Sequence, residues 1–254
     1  MAAEIVFMAL LGLIAGSFLS VVAHRVPLGE SIVAPRSRCP SCGTQIAAYD
    51  NVPLFSYLAL RGRCRHCDAK VPATYPLLEA GLAAVFVAIL LRYSDDGSEI
   101  ALGACLAATL ATITLTDLEH RVIPNKVLIV AALVAVGLLV AGDRDALAEH
   151  AIAAAIAFAA MFLIAIVYPR GMGMGDVKLA GVMGLYLGAS VAPALFIGFA
   201  AGALVGIGIV LVRGAAARKQ GVPFGPFLAF GGIVALLYGP ELIDWYERIS
   251  GLSS

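Results

Sequence analysis

The chain has 254 residues, of which 61% are hydrophobic and 13% are charged. Soluble domains contain about 45–50% apolar and about 25% charged residues, so this composition excludes an ordinary soluble domain. The mean hydropathy of +0.95 excludes a disordered chain. The formal net charge of zero indicates a protein without a nucleic-acid partner. The remaining class is an all-α polytopic membrane protein.

Apolar segments recur along the chain at the length that a bilayer requires. A hydrocarbon core about 30 Å thick needs about 20 apolar residues for each spanning helix. We predict about eight transmembrane helices, and membrane lipid is therefore an expected partner. In chain order they are approximately Ile5–Ala23, Leu77–Leu91, Ile100–Thr116, Val127–Ala141, Ala151–Tyr168, Val177–Ala189, Ala194–Val212 and Phe224–Leu242.

Residues 24–76 interrupt this apolar pattern with repeated prolines and many basic side chains. We therefore predict three parts: residues 1–23 form the first transmembrane helix, residues 24–76 form a small cytoplasmic module, and residues 77–254 form a seven-helix membrane domain. An insert of this size buries too little apolar surface to hold itself together, so a crosslink is expected.

Four cysteines in the insert have metal-ligand spacing. They occur as two Cys-x-x-Cys pairs, Cys39 with Cys42 and Cys64 with Cys67. Paired cysteines at this spacing are typical of four-cysteine zinc sites, although the interval between the pairs is slightly longer than usual. Disulfides are the alternative, and a reducing cytosol disfavours them. We predict a structural Zn²⁺ site.

The basic residues indicate the orientation in the membrane, because short cytoplasmic loops retain Lys and Arg. If the first loop is cytoplasmic, the cytoplasmic side holds most of the 17 basic residues. They are Arg25, Arg36, Arg38, Arg61, Arg63, Arg65, Lys70, Arg121, Lys126, Arg170, Lys178, Arg213, Arg218 and Lys219. The pattern predicts that both termini lie outside and that the cysteine module is cytoplasmic.

Two carboxylates lie at the ends of predicted spans, where ionisable residues are costly and often functional. Asp117 ends the third span, and Asp176 begins the sixth in the sequence Gly-Met-Gly-Met-Gly-Asp-Val-Lys. Two adjacent aspartates can hydrolyse a peptide, because one activates water while the other, protonated, donates to the scissile carbonyl. Helix dipoles suggest that Asp117 holds this proton and that Asp176 ionises first. A helix cap or a loop ion pair is the alternative for each aspartate.

Taken together, the motifs resemble the type IV prepilin peptidases, which are intramembrane aspartic proteases with a GxGD signature. The resemblance covers essentially the whole chain. It rests on Gly16-Ser17-Phe18-Leu19, Arg25, the paired cysteines, Asp50-Asn51-Val52-Pro53, Tyr75-Pro76-Leu77, Glu79, Asp117, Ile123-Pro124 and Gly173-Met174-Gly175-Asp176-Val177-Lys178. Ser20 stands where asparagine is common in the family.

This resemblance implies an endopeptidase of the bacterial inner membrane that removes the basic leader from type IV prepilins or pseudopilins. Asp117 and Asp176 occupy the positions of the catalytic pair, supported by Gly173, Gly175 and Lys178. The cysteine module is associated with members that also methylate the new N-terminus with S-adenosylmethionine. Gly16, Arg25 and Glu79 are candidates for that second activity. The oligomeric state is left open.

Two other classes of function remain as alternatives. Membrane aspartates flanked by glycine also occur in small ion or proton-coupled transporters. A transporter is expected to contain two related halves, and the sequence shows no such symmetry. The third hypothesis is an assembly protein whose zinc module only docks partners.

Overall fold

The computed structural model describes residues 1–168, 171–214 and 222–251. Within these ranges the secondary structure is helical, apart from the isolated bridges Arg38–Gln45 and Arg63–Lys70. Three basic residues of the charge pattern, Arg170, Arg218 and Lys219, lie outside the described residues.

The α-helices follow one another with short connections outside the cysteine module. They are α1 (Ala2–Arg25), α2 (Phe55–Ala59), α3 (Thr74–Arg92), α4 (Gly97–His120), α5 (Asn125–Gly142), α6 (Ala146–Val167), α7 (Met174–Leu187), α8 (Val191–Arg213) and α9 (Gly225–Ser250). Short 3-10 helices occur at Ala48–Asn51 and Gly188–Ser190. The predicted all-α fold is confirmed.

Seven helical segments of the described residues are long and apolar enough to cross a membrane. Six are single helices, and the seventh, Met174–Arg213, contains both α7 and α8. As one straight helix its 40 residues would extend about 60 Å at about 1.5 Å per residue, twice the apolar thickness of a bilayer. Gly188, with φ +53°, ends α7 and divides this segment. The eight apolar segments predicted from the sequence fall on α1 and α3–α9.

The chain divides into two compact units, Met1–Asp95 and Asp96–Ser254. In the first unit α1 packs along α3, because two glycines four residues apart let the backbones approach. A Cβ atom at Gly12 would lie 2.6 Å from the Cα of Ala83, and one at Gly16 would lie 2.7 Å from the Cα of Glu79. This close packing fixes the position of Glu79.

The second unit is built around α4, whose apolar side chains are almost fully buried. Leu106, Leu110 and Ile113 have at most 1% of their surface exposed, and Leu228 of α9 joins the same core. The Asp96 side chain caps the start of α4 by accepting the N–H groups of Ser98 and Glu99. Arg121 ends the helix in the left-handed conformation, with φ +55°, which leaves Asp117 in the last turn.

Candidate active site and cysteine cluster

Asp117 lies in the last turn of α4 and is almost completely buried, with 7% of its surface exposed. Its Oδ2 atom accepts a hydrogen bond from the backbone N–H of Gly225 at 2.8 Å. The positive charge of Arg121 attracts the carboxylate. Gly225 is the first residue of α9. The carboxylate is therefore held between the end of one helix and the beginning of another.

Asp176 lies in the first turn of α7, with 9% of its surface exposed. Its Oδ2 atom accepts the N–H of Gly173 at 3.2 Å, which makes it a helix cap as well as a candidate catalytic group. The alternative that Asp176 is a helix cap therefore agrees with this hydrogen bond. A cap near a functional pair also fixes the rotamer of the side chain, so the two roles are compatible.

The fold brings these two aspartates together within the C-terminal unit. Asp117 and Asp176 are close enough for their carboxylates to interact electrostatically. The first turn of α7 and the last turn of α4 therefore form one acidic site at the ends of two apolar helices. Because both carboxylates are buried, each has lost most of its contact with water, and this is the environment that a shared proton requires.

The glycines before Asp176 serve packing inside the chain. A Cβ atom at Gly175 would lie 2.8 Å from the Cβ of Ile123, in the connection between α4 and α5, and one at Gly173 would lie 3.2 Å from Oδ2 of Asp176. The space beside Gly175 is therefore occupied by Ile123 of the same chain.

Lys178 stabilises the first turn of α7 through an amide and not through either aspartate. Its Nζ atom donates to Oδ1 of Asn125 at 3.0 Å. Asn125 is the first residue of α5. This bond connects the starts of two helices and so supports the segment that carries Asp176.

Sequence reasoning did not identify Gly225, which is the third contributor to the site. A Cβ atom at this position would lie 2.8 Å from Oδ2 of Asp117, so a larger residue would displace the carboxylate. The available signal was the sequence Pro-Phe-Gly-Pro at 223–226, which marks a helix start directly before the last apolar segment. The dipole of α4 alone therefore does not describe the surroundings of Asp117, because the N-terminus of α9 also lies against its carboxylate.

The four cysteines of the first unit form one cluster. Their Sγ atoms all lie within 4.8 Å of one another, and those of Cys39 and Cys67 are 3.8 Å apart. Four thiolates around one zinc ion at about 2.3 Å would lie about 3.8 Å apart in a tetrahedron. All five cysteines carry free thiols, as the zinc prediction requires. The donor set and its spacing therefore fit a structural metal ion.

Each cysteine pair lies in a tight turn of the same form. The N–H of Cys39 donates to the Thr44 carbonyl, and the N–H of Cys64 donates to the Ala69 carbonyl. Hydrogen bonds from Thr44 lower the pKa of the Cys42 thiol to about 6. Backbone N–H groups, chiefly that of His66, lower the pKa of Cys64. These donors favour the thiolate in Cys42 and Cys64, which is the form that binds a metal, whereas desolvation and the neighbouring thiols raise the pKa of Cys67.

Asp50 forms an ion pair inside the module. Its two carboxylate oxygens accept from Nε and Nη2 of Arg65, at 2.8 and 2.6 Å, and the guanidinium lies 5.5 Å from the centre of the Tyr49 ring. The Arg65 guanidinium lowers the pKa of Asp50. The pair connects the short 3-10 helix to the second cysteine turn.

The three methyltransferase candidates all lie in the first unit. Gly16 is the close-approach position of α1 against Glu79. Arg25 donates to the carbonyls of Ser31 and Pro35, both at 2.9 Å, and so holds the loop that follows α1. Glu79 is buried and accepts the backbone N–H of Leu54 at 2.7 Å.

Comparison with known proteins gives two family matches that together cover most of the chain. Residues 10–93 match the family described as "Bacterial Peptidase A24 N-terminal domain". Residues 104–211 match the "Type IV leader peptidase family". The first match contains the cysteine cluster and Glu79, and the second contains Asp117 and Asp176.

Curated relatives match over nearly the full length. The prepilin leader peptidase/N-methyltransferase of Bacillus subtilis (strain 168) is 33% identical over 240 residues, which cover 94% of this chain and 96% of the relative. The protein of the same name from Aeromonas hydrophila is 33% identical over 269 residues, covering 93% and 91%. That from Myxococcus xanthus (strain DK1622) is 36% identical over 220 residues, covering 84% of this chain and 65% of the relative. No solved structure matches this chain significantly. The chain therefore belongs to the type IV leader peptidase family.

Proposed function

We propose that this protein is an intramembrane aspartic endopeptidase that removes the leader peptide from type IV prepilins or pseudopilins, with Asp117 and Asp176 as its catalytic pair. The observation that carries the proposal is the meeting of two buried carboxylates from separate apolar helices. Family membership gives the reaction class. It gives no support to the transporter alternative.

The geometry supports a mechanism that needs only one proton on the pair. The ionised carboxylate removes a proton from water, and the water oxygen attacks the scissile carbonyl while the protonated carboxyl donates to its oxygen. The resulting tetrahedral intermediate collapses as the leaving amine takes up a proton. The N–H groups of Gly225 and Gly173 hold the two carboxylates in place during these steps.

A prepilin suits this location because a basic leader precedes an apolar helix, so that its scissile bond lies at the membrane boundary. The charge pattern supports a multi-pass protein of the bacterial inner membrane with both termini outside and the cysteine module in the cytoplasm. The site then faces the side from which the leader is presented.

The cysteine cluster is proposed to bind Zn²⁺ as a structural ion. Cys39, Cys42, Cys64 and Cys67 would supply four thiolates, which is the donor set of closed structural zinc sites. The ion would replace the apolar core that the module lacks. No step of peptide cleavage requires it.

The second proposed activity is N-methylation of the new N-terminus, with S-adenosylmethionine as donor. Curated relatives are named for both activities. Glu79 is the candidate for direct contact with the donor. The close approach of Gly16 to α3 indicates a role in positioning α1, and the hydrogen bonds of Arg25 indicate a role in positioning the following loop. When bound, the donor supplies an electrophilic methyl group.

Leader removal tests the proposal directly. The purified protein in detergent is incubated with a prepilin, alongside the variants Asp117→Asn and Asp176→Asn. We expect cleavage by the unmodified protein and a loss of about 10²–10⁴-fold in each variant. Asp145→Asn, which changes an exposed aspartate of the same unit, is the matched control. Full activity in either catalytic-site variant would reject the pair.

A further inference from the structure

A cavity of about 520 Å³ lies within the N-terminal unit, between the cysteine module and the adjoining ends of α1 and α3. Its volume falls in the range of about 300–1,000 Å³ that is typical of small-molecule sites. Helix α1 contributes Ser17 and Ser20 to its wall, α3 contributes Tyr75 and Glu79, and the module contributes Leu54 and Tyr57. The catalytic aspartates do not line this cavity.

Glu79 gives the cavity a buried negative group. Only 8% of the Glu79 surface is exposed to solvent. Among the described residues, the N–H of Leu54 is the sole hydrogen-bond donor to this carboxylate, and no cationic side chain pairs with it. A buried carboxylate without a cationic partner is costly. A cationic ligand in the cavity would remove this cost.

The donor N–H comes from a backbone position that leucine rarely adopts. Leu54 has φ +61° and ψ −48°, outside the favoured regions for a residue with a side chain. Such strain persists where the surroundings over-determine it, often at ligand sites. Here it directs a backbone N–H at one oxygen of Glu79 and leaves the other oxygen for a ligand.

We propose that this cavity binds S-adenosylmethionine, with its sulfonium beside the Glu79 carboxylate. The inference rests on the proposed methyltransferase activity and assigns that activity a site. S-adenosylmethionine carries a positive sulfonium, and the product S-adenosylhomocysteine carries a neutral thioether in its place. A carboxylate at this position therefore binds the donor and releases the product.

The membrane end of the cavity is the appropriate place for the reactive methyl group. The acceptor amine belongs to the first residue of an apolar helix, which holds it at the membrane boundary. Glu79 and Ser17 lie on the spanning helices α3 and α1, whereas Cys39 and Cys64 line the cavity from the module. The adenosyl part then occupies the end nearer the module.

The transfer step balances without a further co-reactant. The lone pair of the uncharged amine forms the N–C bond while the C–S bond breaks and its electron pair passes to sulfur. The products are S-adenosylhomocysteine and a methylated ammonium group, which loses one proton to water. Glu79 stabilises the positive charge before and during transfer and forms no covalent bond.

Equilibrium binding of radiolabelled S-adenosylmethionine to the full-length protein tests the site, with S-adenosylhomocysteine as competitor. We expect Glu79→Gln to weaken S-adenosylmethionine binding by at least about tenfold and to leave S-adenosylhomocysteine binding nearly unchanged, because only the charge-assisted contact is lost. Gln retains an oxygen that can accept the Leu54 N–H. Glu4→Gln, at the exposed start of α1, is the matched control. An unchanged ratio of the two affinities would overturn the proposal.

A second variant keeps the test independent of the fold around Glu79. Ser17→Leu fills the membrane end of the cavity and should weaken both ligands together, with metal content and prepilin cleavage retained. Normal binding in both Ser17→Leu and Glu79→Gln would place the donor elsewhere, even if methylation proceeds. If the unmodified protein does not methylate a leader-free pilin, the proposed activity fails instead.

Discussion

The cysteine cluster and the aspartate pair are assembled over very different distances along the chain. Cys39 and Cys67 are 28 residues apart and meet through two local turns, whereas Asp117 takes its hydrogen bond from Gly225, which is 108 residues away. The cluster depends on spacing that can be read directly from the sequence. The aspartate pair depends on how apolar helices pack. The two sites should therefore fail separately when each is perturbed.

The largest effect is expected from removing either catalytic carboxylate, and removing both should add little to it. When two groups act as one catalytic unit, removing the second lowers the rate little further, because removing the first already stops the catalysed reaction. We expect the double variant Asp117→Asn, Asp176→Asn to cleave prepilin no more slowly than either single variant. Initial cleavage rates give the comparison. A double variant whose loss equals the product of the two single losses would show that the aspartates act independently.

Breaking the cysteine cluster should affect the other unit much less. We expect the pair Cys39→Ser, Cys64→Ser to lose its metal, since binding and folding of such a module are coupled. Methylation should fall more than cleavage. Metal content by elemental analysis and both activities are measured together, with Cys105→Ser of α4 as the control. Retention of full methylation would show that the cluster is not needed for that activity.

Gly225 tests whether the position of Asp117 matters. Alanine at this position places a Cβ 2.8 Å from Oδ2 of Asp117, and a displacement of about 1 Å can cost about 10²-fold in rate. We expect Gly225→Ala to reduce cleavage by about that factor. The control is Gly206→Ala in α8, where a Cβ would meet nothing within 4 Å. Equal activity of the two variants would contradict the proposed role of the N–H of Gly225.

Gly16 provides the corresponding test in the N-terminal unit. Gly16→Ala directs a Cβ at the backbone of Glu79, whereas Gly81→Ala in α3 meets nothing within 4 Å. We expect Gly16→Ala to separate α1 from α3, lowering the thermal midpoint and weakening methylation. Alanine is the better helix former, by about 1 kcal/mol per residue, so helix propensity cannot explain a loss. If Gly16→Ala matches Gly81→Ala in both measurements, the close packing is not required.

The smallest effect is expected at the Asp50–Arg65 pair. The pKa of Asp50 is lowered in the folded module, so its contribution is present above its unfolded pKa of about 3.9 and is lost as the pH falls through the folded value. Asp50→Asn should lower the thermal midpoint slightly and by a constant amount between about pH 5 and 7. The difference should shrink in high salt, because about half of the Arg65 side chain is exposed to solvent. A difference that changes across this pH range would point to another group.

Local pattern was sufficient to predict some features of both sites. The ligand spacing of the four cysteines is visible in the sequence. So are the two aspartates, one at the end of one apolar segment and one at the start of another. The contribution of Gly225 depends on the packing of α9 against α4, which no local pattern encodes. The same is true of the close approach of Gly16 to Glu79.

The spans were predictable for a related reason. Apolar length fixes most of the helices, and the eight predicted segments fall on α1 and α3–α9, of which α7 has only 14 residues. The division of Met174–Arg213 at Gly188 lies close to the predicted boundary between the sixth segment, which ends at Ala189, and the seventh, which begins at Ala194. The electrostatic interaction between the aspartates follows from the packing of α4 near α7, which apolar length alone does not determine.

Mass spectrometry of the pilin N-terminus tests the central claim most directly, because one spectrum reports both leader removal and methylation. A prepilin and a leader-free pilin are each incubated with the unmodified protein and with Asp176→Asn, in the presence of S-adenosylmethionine. We predict that the variant leaves the prepilin at full length and still methylates the leader-free pilin. Leader removal by Asp176→Asn at the rate of the unmodified protein would contradict the account.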